Sequence, residues 1–219
     1  MKTAIVIGAT GLVGSELTRL LLEDKRIEKV RVLVRRSTGI VHPTLEEHVV
    51  DFEQPKDWEN LLRGDMLFSC LGTTIGKAGN KDAQYKIDYT YQYEMARAAS
   101  QNGVIDYALI SSAGASVDSK IFYSRMKGEL DRDVNLLNFN HIAIIRPGLL
   151  VGPRKEFRFG ERISIPFVYA ISSLPGLRKY RPIEAKTVAQ ALINAIFYAK
   201  KAKQVYELEE VFALANVVI

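Results

Sequence analysis

Apolar residues follow two different spacings along this chain of 219 residues. Short runs rich in Val, Ile and Leu are bounded by glycine or polar residues, which is typical of strands buried on both faces of a sheet. Between these runs, apolar residues recur every three or four positions, as Leu17, Leu20 and Leu21 do, which predicts amphipathic helices. The alternation of the two patterns indicates an α/β fold, with a parallel sheet covered by helices on both faces.

The pattern places individual elements as follows. Seven strands are predicted, at Thr3–Ile7, Val30–Val34, Glu47–Val50, Met66–Ser69, Tyr107–Ser111, His141–Arg146 and Gln204–Leu208. Five helices are predicted, at Gly11–Leu22, Lys56–Leu62, Ala83–Gln101, Tyr123–Leu137 and Thr187–Ala199. The length suits one domain, and no repeat, low-complexity segment or linker divides the chain, so residues 1–219 are predicted to form a single domain.

Composition narrows the class of protein. Hydrophobic residues make up 47%, and no apolar run approaches the roughly 18 residues that a membrane span requires. The net charge is only +5, and the basic residues are scattered, so neither a nucleic-acid partner nor a membrane is expected. Ile5–Ala9 reads as a strand and not as a signal segment, and Cys70 is the single cysteine. A cytoplasmic location is expected on these grounds.

The first predicted strand runs into a glycine-rich loop, in the stretch "IVIGATGLVGSE". Gly8 permits a tight turn, and the helix that follows offers unpaired N–H groups and partial positive charge to a pyrophosphate. In the first βα turn of an α/β pattern this spacing predicts a dinucleotide site, with an ordinary strand–turn–helix as the alternative. The predicted contacts from the loop are Gly8, Thr10, Gly11, Leu12 and Val13, while Gly14 is predicted to allow close packing of helix and sheet.

The second predicted strand ends in Arg35 and Arg36. NAD-binding folds usually carry an acidic residue there, to accept a hydrogen bond from the ribose 2′-hydroxyl. A guanidinium can instead hold a 2′-phosphate through a bidentate pair, so the sequence favours NADP(H) over NAD(H). The alternative is that both arginines are solvated charges at the end of a strand.

Further cofactor contacts are predicted where the third and fourth strands end. Asp51 is placed to bind the adenine amino group and Phe52 to cover its face, although a turn Asp beside a core Phe fits the sequence nearly as well. The stretch "FSCLGTT" adds a further group of candidate contacts, Cys70, Leu71, Gly72 and Thr73. Cys70 is interpreted as a packing residue and not as a nucleophile, because no histidine lies near it in the sequence.

The candidate catalytic group lies in "ISSAGASVDSKIFYSRMKGELD". Tyr123 and Lys127 are four residues apart and so share one face of a helix. A free tyrosine, with a pKa near ~10, is a reluctant base, and a neighbouring ammonium stabilises its phenolate. Ser112, with Ser111 in reserve, is placed to hold a substrate oxygen while Tyr123 transfers a proton. A surface pair of Tyr and Lys is the alternative interpretation.

Taken together, these motifs resemble the atypical branch of the short-chain dehydrogenase/reductase superfamily, and most closely the Tat-interacting-protein-like oxidoreductases. The resemblance rests on "GATGLVG", "VVDFE", "CLGTTIGKAG", "ISSAGA", "YSRMKGELD" and "IRPGLLVGPR". It implies a Rossmann-like, doubly wound domain that binds NADP(H), with Ser112, Tyr123 and Lys127 in the catalytic roles. It also implies that Pro147 and Gly148 lie where such proteins pass the nicotinamide. Residues from about 150 to 185 are expected to form a short substrate-side region, in which Arg154 and Arg158 either contact an anionic substrate or the cofactor, or belong to a solvated basic loop.

One residue departs from the family pattern. Asp88 stands where many relatives with an active proton relay carry Asn. Two hypotheses therefore remain: an NADP(H)-dependent oxidoreductase acting on an unidentified carbonyl or alcohol, and a non-catalytic NADP(H) sensor or interaction protein. No metal is expected, because the three histidines lack ligand spacing. Tyr85, Tyr89 and Tyr93 mark either a core-facing or a subunit-contacting helix face, and analogy with the superfamily allows a homodimer.

Overall fold

A computed structural model of the chain describes residues 1–152, 178–198 and 201–217. Arg154 and Arg158 lie outside this range, as does most of the predicted substrate side. The described residues form one large sheet, a small second sheet and the helices that cover them.

The large sheet has seven strands, all parallel, in the order β3-β2-β1-β4-β5-β6-β9. Their bounds are β1 Lys2–Ile7, β2 Ile27–Val34, β3 Leu45–Val49, β4 Met66–Ser69, β5 Asp106–Ile110, β6 His141–Arg146 and β9 Lys203–Glu207. Chain order reverses between β1 and β4, the topological switch point where doubly wound sheets bind ligands. The predicted Rossmann-like, doubly wound fold is thereby confirmed.

Helices cover both faces of this sheet. Their bounds are α1 Leu12–Glu23, α2 Ile75–Ala78, α3 Lys81–Tyr85, α4 Tyr91–Gln101, α5 Phe122–Val134, α6 Ala185–Phe197 and α7 Glu209–Ala215. Alternate residues of β1 point to opposite faces of the sheet. Ala4 and Val6 belong to the core beneath α1 and α6, whereas Ile5 and Ile7 belong to the core beneath α4 and α5. This double burial is the reason that the strand reads as a continuous apolar run.

The predicted helix at Lys56–Leu62 is wrong. The structure has two single 3₁₀ turns, Pro55–Asp57 and Glu59–Leu61, separated by Trp58, whose backbone is not helical, with φ −133° and ψ −19°. This break lets the indole enter the core, where Trp58 is 3% exposed. Burial of one large ring outweighs the helical periodicity of a segment this short.

Several short elements were not predicted. They are α2, α7 and a two-stranded parallel sheet formed by β7 (Leu150–Val151) and β8 (Ile183–Glu184). Each is too short to show a hydrophobic period in the sequence. The pairing of β7 with β8 also joins residues more than thirty positions apart, which local patterns do not reveal.

The predicted helix Ala83–Gln101 begins earlier and contains an irregularity. A π-helical turn at Lys86–Thr90 joins α3 to α4. Tyr85, Tyr89 and Tyr93 stack along this helix, with ring centroids 4.7 and 6.0 Å apart. The hydroxyls of Tyr85 and Tyr89 donate to carboxylates of α5, so this part of the tyrosine stripe ties two helices together.

Glycine packing holds the first turn of the fold together. Gly8 has φ +84°, and a Cβ there would lie 2.5 Å from the Cys70 carbonyl carbon. A Cβ on Gly14 would lie 2.1 Å from the Gly8 carbonyl oxygen. The loop therefore needs glycine because the chain's own backbone approaches it, in addition to any ligand.

We expect Gly14→Ala to lower the free energy of unfolding by at least about 3 kcal/mol, because the added methyl group forces α1 away from the loop. Gly76→Ala is the matched control, since a Cβ on Gly76 meets nothing within 4 Å. That change should be neutral or stabilising by up to about 1 kcal/mol. Urea denaturation measures both variants, and equal stabilities for the two would contradict the packing argument.

Candidate functional site

The glycine loop presents the start of α1 toward the carboxyl edge of the sheet. Gly11 donates its N–H to the Gly8 carbonyl at 2.9 Å, and the helix begins at Leu12. No side chain caps the helix, and its first turn carries no acidic residue. Thr10 is exposed, whereas the side chain of Val13 belongs to the core. Val13 can therefore meet a ligand through its backbone, where the helix N-terminus favours an anion.

Arg35 and Arg36 follow β2 and are exposed. Neither forms an ion pair with a carboxylate in the described part of the chain. The nearby Tyr91 hydroxyl donates to Glu53, and burial together with this bond raises its pKa, while Arg35 acts in the opposite direction. The two guanidinium groups are thus available to a ligand at the carboxyl edge.

The two residues after β3 differ in their surroundings. Asp51 is exposed and accepts a hydrogen bond from the Glu53 N–H at 2.9 Å. Phe52 is 4% exposed and packs edge-on against Tyr91, with ring centroids 5.7 Å apart. Phe52 is therefore a core residue. This is the alternative to an adenine contact that the sequence allowed.

The segment after β4 passes directly beneath the glycine loop. The backbone of Cys70 and Leu71 lies against Gly8, and burial raises the pKa of the Cys70 thiol, as expected for a packing cysteine. Gly72 is exposed. Thr73 donates its N–H to a carboxylate oxygen of Asp88 at 2.8 Å. These four predicted residues therefore line the same edge of the sheet as the glycine loop.

The two serines after β5 differ in their hydrogen bonds. Ser111 is buried and donates to Asp131 at 2.9 Å. Ser112 is half-buried, and its hydroxyl makes a long 3.4 Å bond to the neighbouring Ala113 carbonyl. Ser112 is consequently the serine with a hydroxyl to offer a substrate.

Tyr123 and Lys127 lie at the start of α5. Tyr123 is 38% exposed, while Lys127 is 3% exposed. Burial alone would lower the pKa of Lys127, but the charges of Tyr123, Asp88 and Asp131 act against it, and the net effect raises the pKa. Lys127 therefore stays an ammonium beside an accessible phenol, the arrangement that the motif predicts.

Asp88 holds Lys127 from the opposite helix. Its carboxylate is 1% exposed and lies 3.5 Å from the Lys127 Nζ. The π-helical turn carries Asp88, and such turns often occur at functional sites. Asp88, at the position where the sequence is expected to depart from the family pattern, thus forms a direct ion pair with Lys127.

A second ion pair, between Asp131 and Arg146, was not predicted from the sequence. Asp131, four residues after Lys127, accepts hydrogen bonds from Ser111 and from the Arg146 Nε, both at 2.9 Å. Burial raises the pKa of Asp131, while Ser111 and Arg146 oppose this effect. The available signal was the helical spacing of Tyr123, Lys127 and Asp131, which puts all three on one face of α5.

The segment after β6 completes the edge. Pro147 is buried, and its carbonyl accepts the Ala113 N–H at 3.0 Å. A Cβ on Gly148 would approach Leu208 at 3.6 Å, an ordinary contact. Pro147 therefore ties the chain after β6 to the loop that carries Ser112.

Within residues 1–152, 178–198 and 201–217, no three His, Cys, Asp or Glu side chains gather as metal ligands. Among the helices that the structure describes, none has both the length and the apolar character to cross a lipid bilayer.

The fold and this edge define a dinucleotide-binding α/β protein of the Rossmann type. A family model described as NAD(P)H-binding matches residues 8–156. The chain belongs to this NAD(P)H-binding family, which confirms the predicted NAD(P)-binding class.

Relatives and solved structures agree with this assignment. The chain is 40% identical over 201 residues to "Protein FMP52, mitochondrial" of Candida glabrata, covering 89% of this chain and 84% of that protein. It is 34% identical over 203 residues to the protein of that name in Aspergillus niger, covering 89% and 87%. The fold is similar to the ADP-L-glycero-D-manno-heptose-6-epimerase of Helicobacter pylori, with TM-score 0.68, 19% identity and coverage of 98% and 81%.

The expected cytoplasmic location is wrong. The relatives from Candida glabrata and Aspergillus niger are both named mitochondrial proteins. The expectation depended on a missing signal pattern, and such an absence is weak evidence because targeting need not follow the secretory pattern.

We expect Arg146→Met to lower the free energy of unfolding by about 3 kcal/mol near neutral pH, because the Asp131 carboxylate would lose its buried partner. Burial already raises the pKa of Asp131 in the folded protein, and loss of the guanidinium raises it further. A carboxyl group with a raised folded-state pKa adds stability below its unfolded value, about 4, and loses that contribution as the pH rises. The destabilisation should therefore be smallest below about pH 4 and grow at higher pH.

Urea denaturation across this pH range tests the expectation. Arg132→Met is the matched control, since Arg132 is an exposed helical arginine paired with its neighbour Asp133. It should change the stability by no more than about 0.5 kcal/mol. A loss in Arg146→Met that does not vary with pH would show that Asp131 is not the group left unpaired.

Proposed function

We propose that this protein is an NADP(H)-dependent oxidoreductase that interconverts a carbonyl and an alcohol. The observation that carries the proposal is the pairing of an accessible Tyr123 with a buried, charged Lys127, at the sheet edge that also carries the glycine loop. The mitochondrial names of the relatives support the same compartment for this chain.

The residues present fit a phosphorylated dinucleotide. The glycine loop leaves a side-chain-free approach to the uncapped, acid-free start of α1, which suits a pyrophosphate. Arg35 and Arg36 are exposed at the end of β2 and suit a 2′-phosphate. When bound, the nicotinamide would donate or accept the hydride.

The remaining chemistry belongs to side chains of this chain. The Ser112 hydroxyl donates a hydrogen bond to the substrate oxygen and orients it. The Tyr123 hydroxyl gives that oxygen a proton during reduction and takes it back during oxidation. Lys127 remains charged and stabilises the phenolate left on Tyr123.

A second candidate function is a non-catalytic NADP(H) sensor, and the Asp88 ion pair favours it. Two carboxylates, Asp88 and Asp131, act on the single ammonium of Lys127. Part of the positive charge that would stabilise a Tyr123 phenolate is therefore already balanced. A sensor would bind cofactor and change its affinity for a protein partner with the cofactor's redox state.

Cofactor choice is tested at the two arginines. We expect the double change Arg35→Ser, Arg36→Ser to raise the Kd for NADPH about 100-fold, because two charge-assisted bonds to phosphate are lost. The Kd for NADH should change less than about three-fold. Calorimetry measures both, with Arg63→Ser as a control at another exposed arginine. Equal losses for both cofactors would overturn the preference for NADP(H).

Catalysis is tested at Tyr123. We expect Tyr123→Phe to lower kcat at least about 100-fold while the Kd for NADPH stays within about two-fold, because only the transferable proton is removed. NADPH oxidation against a panel of aldehydes and ketones gives the rate. Tyr93→Phe is the matched control, since this tyrosine stacks on Tyr89 in α4.

The result also decides between the two functions. Turnover that survives Tyr123→Phe would remove Tyr123 from the mechanism. Cofactor binding without turnover on any member of the panel, in the unchanged protein, would favour the sensor.

A further inference from the structure

Glu207 ends β9, the strand at one edge of the large sheet, outside the segment that the family model matches. It lies opposite Arg146 in the last pair of the parallel register between β6 and β9. Its side chain therefore emerges at the same carboxyl edge as the candidate site.

The carboxylate of Glu207 contacts two different elements. One oxygen accepts the N–H of Gly114 at 2.9 Å, and the other lies 3.9 Å from the Arg146 Nη1. Gly114 belongs to the loop between β5 and α5, two residues after Ser112. Glu207 thus connects this loop to the arginine that anchors α5 through Asp131.

Gly114 lies in an open part of this loop. It has φ +75°, it is exposed, and a Cβ there would meet nothing within 4 Å. On one side of it, Ala113 is fixed to the Pro147 carbonyl at 3.0 Å. On the other side, Ser116 packs so closely on α5 that a Cβ on Gly128 would lie 2.3 Å from its carbonyl carbon.

Between these two fixed points, the bond from Gly114 to Glu207 sets the path of the chain. Ser112 closes this turn, because its own carbonyl accepts the N–H of Ala115 at 3.1 Å. A change at Gly114 is therefore transmitted through one turn to Ser112. A charge-assisted bond to a backbone N–H is about twice as strong as a neutral one, which suits it to this task.

We infer that Glu207 is a positioning residue for Ser112: its carboxylate holds the β5–α5 loop so that the serine hydroxyl faces the substrate oxygen beside Tyr123. The inference rests on the proposed oxidoreductase function for its kinetic consequence. The tether itself is a property of the fold and can be measured without turnover.

The experiment compares three variants of the full chain. Glu207→Ala removes the acceptor, and Glu207→Gln keeps a carbonyl oxygen in the same place without the charge. Glu28→Ala is the control, since Glu28 is an exposed glutamate of β2. Hydrogen exchange by mass spectrometry reports on residues 112–116, and thermal unfolding reports on the whole fold.

We expect Glu207→Ala to speed amide exchange in residues 112–116 at least about ten-fold with little change in Tm, because only a local restraint is lost. It should lower kcat about ten-fold and leave the Kd for NADPH unchanged, since misplacement of a positioned group costs rate. Glu207→Gln should restore most of both losses, and Glu28→Ala should resemble the unchanged protein.

The inference is overturned by unchanged exchange in Glu207→Ala, by unchanged kcat in an active enzyme despite faster exchange, or by no rescue in Glu207→Gln. A uniform fall in Tm and in protection throughout the chain would likewise overturn it, in favour of a general structural role. Absence of turnover in the unchanged protein is a different result, because it removes the proposed function while the exchange data still decide whether the tether exists.

Discussion

A buried ammonium group requires a negative partner, and the candidate site is organised around this requirement. Lys127 is 3% exposed, and a lysine this deeply desolvated would tend to lose its proton if it stood alone. Asp88 reaches it from the π-helical turn, and Asp131 acts on it from the same helix. Asp131 is buried in turn and requires Arg146 and Ser111. This series of interacting side chains thus runs from α5, which carries Tyr123, to Arg146 at the end of β6.

Because all seven strands of the large sheet are parallel, their carboxyl ends meet at one edge. The glycine loop, the arginines after β2 and the serine after β5 come from distant parts of the sequence but share this edge. Close approach of backbones makes the arrangement rigid, as Gly8 against Cys70 and Gly128 against Ser116 illustrate. A rigid edge suits a reaction in which a proton donor and a cofactor must face the same substrate atom.

Family membership defines the class of this protein, and the charges around Lys127 bear on its chemistry. The family model shows an NAD(P)H-binding protein, and the similar solved structures show the fold. Asp88 bears on the chemistry, because it places a buried carboxylate 3.5 Å from the Lys127 Nζ. The balance of charge around Lys127 is therefore the physical quantity on which the two proposed functions differ.

The sequence by itself determined the parallel sheet, its strands to within three residues at each end, and the glycine loop, because these depend on hydrophobic period and on backbone freedom that local residues encode. It also predicted the pairing of Tyr123 with Lys127, since helical spacing is a local property. It did not reveal the break at Trp58, where burial of a ring outweighs periodicity, nor the hydrogen bond from Ser111 to Asp131, which joins residues twenty positions apart. Only the tertiary structure brought Asp88, Asp131, Arg146 and Glu207 to one site. Buried charges select partners by distance in space, and that distance is decided by how the helices pack on the sheet.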